Sequence, residues 1–347
     1  MQDVTNIEAI RKIDPQDTLG STEILGKQCA AAWEEVKALP IKPFAKQIKS
    51  VVFCGMGASV YGALVLKALM TEKLSFPIEI ISDYHLPSYV NDETLVVLTS
   101  YSGTTEEVLS CAQEGKIKGA NMLVLTKGGP LADFAGTNNL PAYIFDGKLN
   151  PAGVPRLGNG YTIVGLLGLF NRLGLITVTD ADMQKAFIFL GAKLEEIKQQ
   201  AMTDSATLEN KIPIIFAAEH LAGNAQILRN QFNETSKAFS GFFLVPDLNH
   251  HLMEGLQFPK ESKLYFVILN SSLYSEKIKK RMVLTLDVVR QNHQDIMEHS
   301  TNAETVYEDF LATLAYGSYL TLYLGLRYDQ NPAINPWVDY FKNELAK

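Results

Sequence analysis

The sequence predicts an α/β protein built as two αβα sandwich domains, each with a parallel central sheet and flanking helices. Three observations carry that expectation. Short runs of β-branched and apolar residues alternate with helix-length segments, the pattern of βαβ units. The runs are apolar almost throughout rather than alternating, as in strands covered on both faces. A stretch rich in glycine, proline and asparagine, GKLNPAGVPRLGNG (147–160), interrupts the chain near its middle, and strand, turn and helix then begin again. The division expected is residues 1–152 and 153–347.

The elements follow in order. Up to about Lys46 the chain reads as helical, with apolar positions at Ile24, Leu25, Ala32, Trp33, Val36 and Leu39. IKSVVFCGMGASVYGALVLKALM gives strand, glycine turn and helix, and FPIEIISDY a second strand. TLVVLTSYSG is a third strand and turn, leading into a helix from about Thr105 to Lys118. NMLVLTK is a fourth strand and PAYIFD a short fifth. After the interruption, YTIVGLLGLFNRLG and the segment from about Asp180 to Ala201 read as helices. KIPIIFAAEHLAGNAQILRNQFNETSKA is strand, turn and long helix; SGFFLVP and KLYFVILNSS are strands. YSEKIKKRMVLTLDVVRQN is helical, QDIMEHST a short strand, and TVYEDFLATLAYGSYLTLYLGLRYD a long helix. The second half thus repeats the first, but AAEHLAGN stands where the first half has GMGASVYG, and LNSSLYSEK where it has TSYSGTTEE. The phosphate-type turns of the repeat are degraded, which suggests one site per pair of domains.

Composition narrows the function. The chain has 347 residues, 47% hydrophobic and 20% charged, within the ordinary globular range. A net charge of −7 disfavours nonspecific nucleic-acid binding and an anionic membrane surface. It leaves room for an anionic small molecule held in a local pocket. Three cysteines, Cys29, Cys54 and Cys111, have no metal-like spacing and suit reduced thiols in a cytoplasmic protein. Met1–Gly20 is polar and charged, unlike a signal peptide. The apolar stretch Leu311–Leu326 contains Thr, Ser, Gly and several Tyr, and reads as a buried helix rather than a membrane span.

The chemistry is foreshadowed at Thr94–Leu109. A buried strand ends in Ser100, Ser102, Thr104 and Thr105 around Gly103, and a helix with Glu106 and Glu107 in its first turn follows, capped by Thr104 or Thr105. Free N–H groups and a positive dipole end beside hydroxyls suit an anion, phosphate above all. A plain capped strand–turn–helix reads as well on this motif alone. Gly55, Gly57 and Ser59 form a second turn, open to close backbone approach. It matches G-x-G-x-x-G only in part, with Val60 at the third glycine and Asp83 the nearest ribose partner, so a dehydrogenase is a weak alternative.

Taken together, these segments resemble the bifunctional phosphoglucose/phosphomannose isomerase family, whose members carry two sugar isomerase (SIS) domains. GMGASVYG resembles the first glycine turn and SYSGTTEE the hydroxyl-rich phosphate loop. PRLGNGY, NQFNETSKA, FLVPDLNHHLMEG and NPWVDYFKNELA match further family segments in order, over nearly the whole chain. The sequence departs at His251-Leu252, where Asn-Glu is usual, at Leu256, where Trp is usual, and at Thr104, where Asn or Glu is usual. The resemblance implies an aldose–ketose isomerase acting on glucose 6-phosphate and/or mannose 6-phosphate and fructose 6-phosphate, in glycolysis and gluconeogenesis. It implies no metal and no cofactor, and a homodimer with shared sites. A non-catalytic sugar-phosphate sensor is the rival.

Each site residue carries two readings. Glu234 follows Asn233 in a helix between Phe232 and Phe239; partial burial there would suit a general base, though most glutamates are solvated. The family's Asn-Glu pair makes it the base. His250, in a turn after a strand, is on its own a surface histidine; the resemblance gives it the ring-opening role, reaching into the neighbouring subunit. Arg156, at the start of the helix after Pro155, is either an interdomain salt bridge or a two-pronged donor to an enediolate. Lys342 reads as tail charge, and by resemblance as a phosphate or hydroxyl contact. Gly57, Ser59, Ser100, Ser102 and Thr105 would hold the phosphate. The tyrosine-rich helix near 310–328 is either core or an apolar face for a second subunit.

Overall fold

A computed structural model describes residues 4–345 and residue 347. Residues 1–3, part of the polar N-terminal stretch, lie outside the described residues. The first sheet contains β1 (Ser50–Cys54), β2 (Ile78–Ile81), β3 (Thr94–Ser100), β4 (Asn121–Thr126) and β5 (Ala142–Ile144), in the order β2-β1-β3-β4-β5. The second contains β6 (Ile212–Ala218), β7 (Gly241–Val245), β8 (Leu264–Leu269) and β9 (Asp295–His299), in the order β7-β6-β8-β9. Every pairing is parallel, with Val51 opposite Leu95 and Ile214 opposite Phe266. All seven residues of β3 are buried, so the β-branched and apolar run at 94–99 is that of a strand covered on both faces.

The helices are α1 (Ile7–Ile13), α2 (Thr18–Glu23), α3 (Leu25–Lys37), α4 (Tyr61–Met70), α5 (Glu106–Ile117), α6 (Gly129–Thr137), α7 (Gly165–Arg172), α8 (Asp180–Thr207), α9 (Ala222–Glu234), α10 (Glu276–Gln291), α11 (Val306–Arg327) and α12 (Pro336–Leu345). α8 and α11 start at capping boxes, Thr179 with Asp182 and Thr305 with Glu308, each meeting backbone donors that the first turn leaves free. The sequence did not announce α6, since three glycines and a proline in GGPLADFAGT weaken its helical pattern; Pro130 falls in the first helical turn, where a missing N–H costs nothing.

α11 is core. Tyr307–Leu326 is buried throughout, packed on α8 and α9, with Phe310, Tyr316 and Tyr319 inaccessible. Each such aromatic contributes about 1.5–3 kcal/mol of burial free energy. The tyrosine-rich helix is therefore filled from within one chain and offers no free face. No described helix is long and apolar enough to cross a membrane.

The two sheets share one interior. α4, from the first half, lies against α9, from the second, and both touch α11. The segment 147–160 is no free linker. Gln28 of α3, wholly buried, donates to the carbonyls of Leu149 (2.6 Å) and Leu157 (3.1 Å) and accepts from the Gly160 amide (2.6 Å). A π turn (Gly160–Val164) and α7 then pack on α3, and Phe170 of α7 stacks on Phe53 of β1 at 5.5 Å.

Candidate active site

Sheet order places the two glycine- and hydroxyl-bearing loops side by side. β1 and β3 are neighbours, and both loops leave the carboxyl edge of their strands, where ligands of open α/β sheets bind. After β1 the chain makes a 3₁₀ turn (Gly57–Val60), opened by Gly57 at φ +55°. Ser59 Oγ accepts from the Tyr101 amide at 3.1 Å and ties this turn to the loop after β3. In that loop Ser100 Oγ lies 2.7 Å from Thr105 Oγ1, and Ser102 Oγ lies 2.8 Å from Thr104 Oγ1. Gly103 sits at φ +74°, and a Cβ there would stand 1.8 Å from the Gly128 carbonyl oxygen. Only glycine satisfies both the left-handed backbone and that approach.

Thr105 occupies the N-cap position of α5 but makes no side-chain cap bond, contrary to the capping expectation; its hydroxyl is turned to Ser100 instead. The helix-end amides are left free of that hydroxyl, and the hydroxyls face one another as pairs able to reorient around an anion.

Beside the first turn lies an acid–guanidinium pair, buried on the guanidinium side. Arg156 belongs to a separate 3₁₀ turn (Pro155–Leu157), not to the helix after it, and packs against Gly57–Val60. It is 2% exposed. Nε donates to Thr235 Oγ1 at 3.0 Å, and Nη2 to the carbonyls of Pro332 and of Ala333 (3.0 Å). Nη1 faces the Glu234 carboxylate at 3.5 Å. The expected free two-pronged fork is thus mostly committed: main-chain oxygens from the C-terminal segment take one edge, and Nη1 alone is left toward the site. The arginine fastens the halves and borders the acid.

Glu234 ends α9 and is half-buried, with Phe232 inaccessible beneath it; Phe239, expected to shield it, is 75% exposed. Two residues that sequence reasoning passed over complete the cluster. Asn335, just before α12, links the guanidinium to the end of α9: its oxygen accepts from Arg156 Nη1 at 3.1 Å, and its amide donates to the Glu234 main-chain oxygen at 3.2 Å. Lys237 Nζ donates to that same oxygen at 2.6 Å. Asn335 lay within a matched segment, but its role needs the tertiary return of the C-terminus.

His250 is elsewhere. It lies in a 3₁₀ turn (Asp247–His250) after β7, exposed, with the turn pinned by Asn249, which donates to Thr285 Oγ1 at 2.8 Å and accepts from Arg281 at 3.2 Å. Glu234 lies just before β7 and His250 just after it. Six residues (235–240) separate Glu234 from β7 and four (246–249) separate β7 from His250, and among the described residues no hydrogen bond or ion pair joins the two side chains. Lys342 is likewise exposed, on α12, a helix with no buried residue. The sites at Ser59, Ser100, Ser102, Thr105, Arg156 and Glu234 gather; His250 and Lys342 do not join them within the subunit.

The second half shows why it lacks such a cradle. Glu219, at the turn after β6, accepts from the Ser275 amide (2.9 Å) and hydroxyl (2.5 Å) at the start of α10, the place matching Thr105. Asp309, 2% exposed, accepts from His220 (2.9 Å), Ser271 (2.5 Å) and Thr301 (2.5 Å). Burial pushes the Asp309 carboxyl up, but these donors outweigh it and hold it below its usual range. The chain's own carboxylates take the donors that remain free in the first half. All three cysteines are buried free thiols.

Fold and site define an SIS-type phosphosugar protein with a single hydroxyl cradle beside an acid–guanidinium pair. Residues 45–142 match the SIS domain family, and residues 197–345 match the bacterial phospho-glucose isomerase C-terminal SIS domain. A bifunctional phosphoglucose/phosphomannose isomerase of Caldicellulosiruptor bescii is 31% identical over 339 residues, covering 93% of this chain and 97% of the relative. One from Aquifex aeolicus is 27% identical, covering 91% and 94%. Among solved structures, a hypothetical protein of Thermus thermophilus (TM-score 0.71, 17% identity, 98% of this chain and 93% of that one) shares the fold. So does tagatose-6-phosphate ketose/aldose isomerase of Escherichia coli (0.63, 15%, 94% and 95%). The chain belongs to the bifunctional phosphoglucose/phosphomannose isomerase family.

Proposed function

We propose that this chain interconverts glucose 6-phosphate and mannose 6-phosphate with fructose 6-phosphate through a cis-enediolate. The observation that carries the reading is the Glu234 carboxylate 3.5 Å from Arg156, beside the turn that bears Ser59. Phosphate binds among Gly57, Ser59, Ser100, Ser102 and Thr105, and that anchoring fixes the reacting carbons. Glu234 takes the C2 proton of the open-chain aldose. The electron pair moves to the C1 carbonyl oxygen, giving an enediolate. Arg156 Nη1 stabilises the negative oxygen. Glu234 returns the proton to C1 while the C2 hydroxyl proton passes to O1, and C2 becomes the ketone.

His250 opens the ring, and it does so in the partner subunit's site of a homodimer. Two features support this. His250 is exposed on a turn of its own chain, and α12 presents Trp337, Tyr340 and Phe341 exposed, an apolar face suited to a second copy. Lys342, on the same helix, would reach phosphate or a hydroxyl there. Residues 1–152 supply the phosphate loops and 153–347 the base and histidine, with Gly160–Arg172 packed on the first sheet. The setting is cytoplasmic sugar-phosphate metabolism, with no cofactor.

Coupled assays on glucose 6-phosphate and mannose 6-phosphate test the reaction. Solvent deuterium should enter fructose 6-phosphate at C1. A protein that binds sugar phosphate without exchange is a sensor, and the reading fails. Sharing is tested by mixing inactive Glu234→Gln and His250→Ala subunits. Random exchange gives about half mixed dimers and about a quarter of wild-type sites. A mixture still inactive after verified exchange places His250 in its own chain's service.

A further inference from the structure

Lys237 has no part in the reaction as derived above. It stands three residues after the base, at φ +57°. Eight non-glycine residues among those described have positive φ, and six are Asn, Asp or His, which take that region most readily. Glu219 and Lys237 are the exceptions. Glu219 has an evident local reason, its carboxylate on Ser275.

The left-handed backbone at Lys237 turns the side chain back over the end of α9, and Nζ reaches the Glu234 carbonyl oxygen at 2.6 Å. A cation at a helix C-terminus is favourable in itself. Capping does not explain the arrangement fully, because Asn335 already donates to that oxygen at 3.2 Å. The lysine is also half-buried rather than solvated. The charged groups facing it are Arg156 from the boundary turn and Glu234 from α9. Tyr61 of α4 faces the same pair and Arg229, its phenol pushed up by burial. Arg156, meanwhile, has one edge committed to the Pro332 and Ala333 carbonyls.

We propose that Lys237 is a charge-setting, positioning residue of the isomerase site, whose ammonium form adds a second cation beside Glu234 to support the enediolate charge that Arg156 meets with one edge alone. The proposal rests on the isomerase reading and extends it to pH control. Burial, then Arg156, push the ammonium down to about 8, against the pull of Glu234. The protonated form supports the reaction, so activity is full below that value and falls as pH rises through it.

The test is the pH profile of kcat for wild type, Lys237→Arg and Lys237→Met, with KM measured alongside. Wild type should lose activity with a midpoint near 8. Lys237→Arg, charged at every accessible pH, should keep activity at pH 7 and lose that limb. Lys237→Met should fall about tenfold in kcat at pH 7, less than removal of a direct oxyanion donor costs, with KM little changed and no limb. A limb kept in Lys237→Arg, or a wild-type profile in Lys237→Met, overturns the proposal. Lysine-labelled protein without substrate gives a second readout by NMR. The resonance missing from Lys237→Met should titrate near 8; a midpoint near the ordinary 10.5 overturns the proposal even if Lys237→Arg does not fold. Wild-type protein that shows the NMR titration but no isomerase activity would sink the functional reading and leave the charge assignment standing.

Discussion

Replacing Arg156 by lysine keeps the charge and removes the fork, which makes it the sharpest probe of how this site is held. The guanidinium meets Thr235 Oγ1, the Pro332 and Ala333 carbonyls and the Glu234 carboxylate from three nitrogens. One ammonium reaches a single edge of that set. If it stays with Glu234, the two carbonyls and the Thr235 hydroxyl lose their donor. A buried acceptor left unmet costs about 1–3 kcal/mol, and Ala333 is near enough to solvent for water to recover part of it. The expected loss is therefore about 2–4 kcal/mol, read as a fall in the urea midpoint. Activity should fall further than folding accounts for. The strap from Pro332 to Asn335 would loosen, and the oxyanion would lose a fixed donor, a loss that typically costs about 10²–10³ in kcat. The assay is kcat per folded molecule at low temperature, beside denaturation of the same preparation. An unchanged urea midpoint would show that the strap does not depend on Arg156. A lowered midpoint with wild-type kcat would show that the arginine is a strut alone, and the enediolate role would be lost.

Glu234→Gln, nearly isosteric, should lower kcat about 10²- to 10⁴-fold with little change in substrate affinity; near-normal turnover would remove Glu234 from the mechanism. Gly103→Ala places a methyl 1.8 Å from the Gly128 oxygen at φ +74°, so the loop must shift. Inorganic phosphate should then bind about tenfold or more weakly while far-ultraviolet circular dichroism is kept, and unchanged phosphate affinity would move the anion site elsewhere. Trp337→Ser with Phe341→Ser strips the exposed face of α12, and sedimentation should show monomer; a dimer that persists at micromolar concentration would place the interface on another face.

The parallel sheets were legible because strands covered on both faces are rich in β-branched and apolar residues with no polar alternation, as the runs at 94–99 and 264–269 are. The loops proposed to hold phosphate were legible for a local reason as well: a left-handed glycine among hydroxyls at a helix start is written in consecutive residues. α6 escaped notice because Gly and Pro weaken any helical pattern, while packing against β4 sustains it. The tyrosine-rich 310–328 segment left core and interface open, because an apolar helix looks alike whatever covers it. Contacts with α8 and α9 settled it as core and left α12 as the exposed face.

What the sequence determined by itself was therefore local: strand and helix order, the glycine turns, the hydroxyl cluster and the residue types needed for proton transfer. What only the tertiary structure decided was which of these meet. Arg156, Glu234 and Asn335 lie far apart in sequence, yet converge on one network. Glu219 and Asp309 fill the second half's donors, a silencing that needs β6, α10 and α11 in place at once. Lys237 acquires its meaning from a backbone angle and from burial beside Arg156. Hydrogen bonds and charge–charge contacts act over a few ångströms, and distances of that kind between remote residues exist only once the chain has closed on itself.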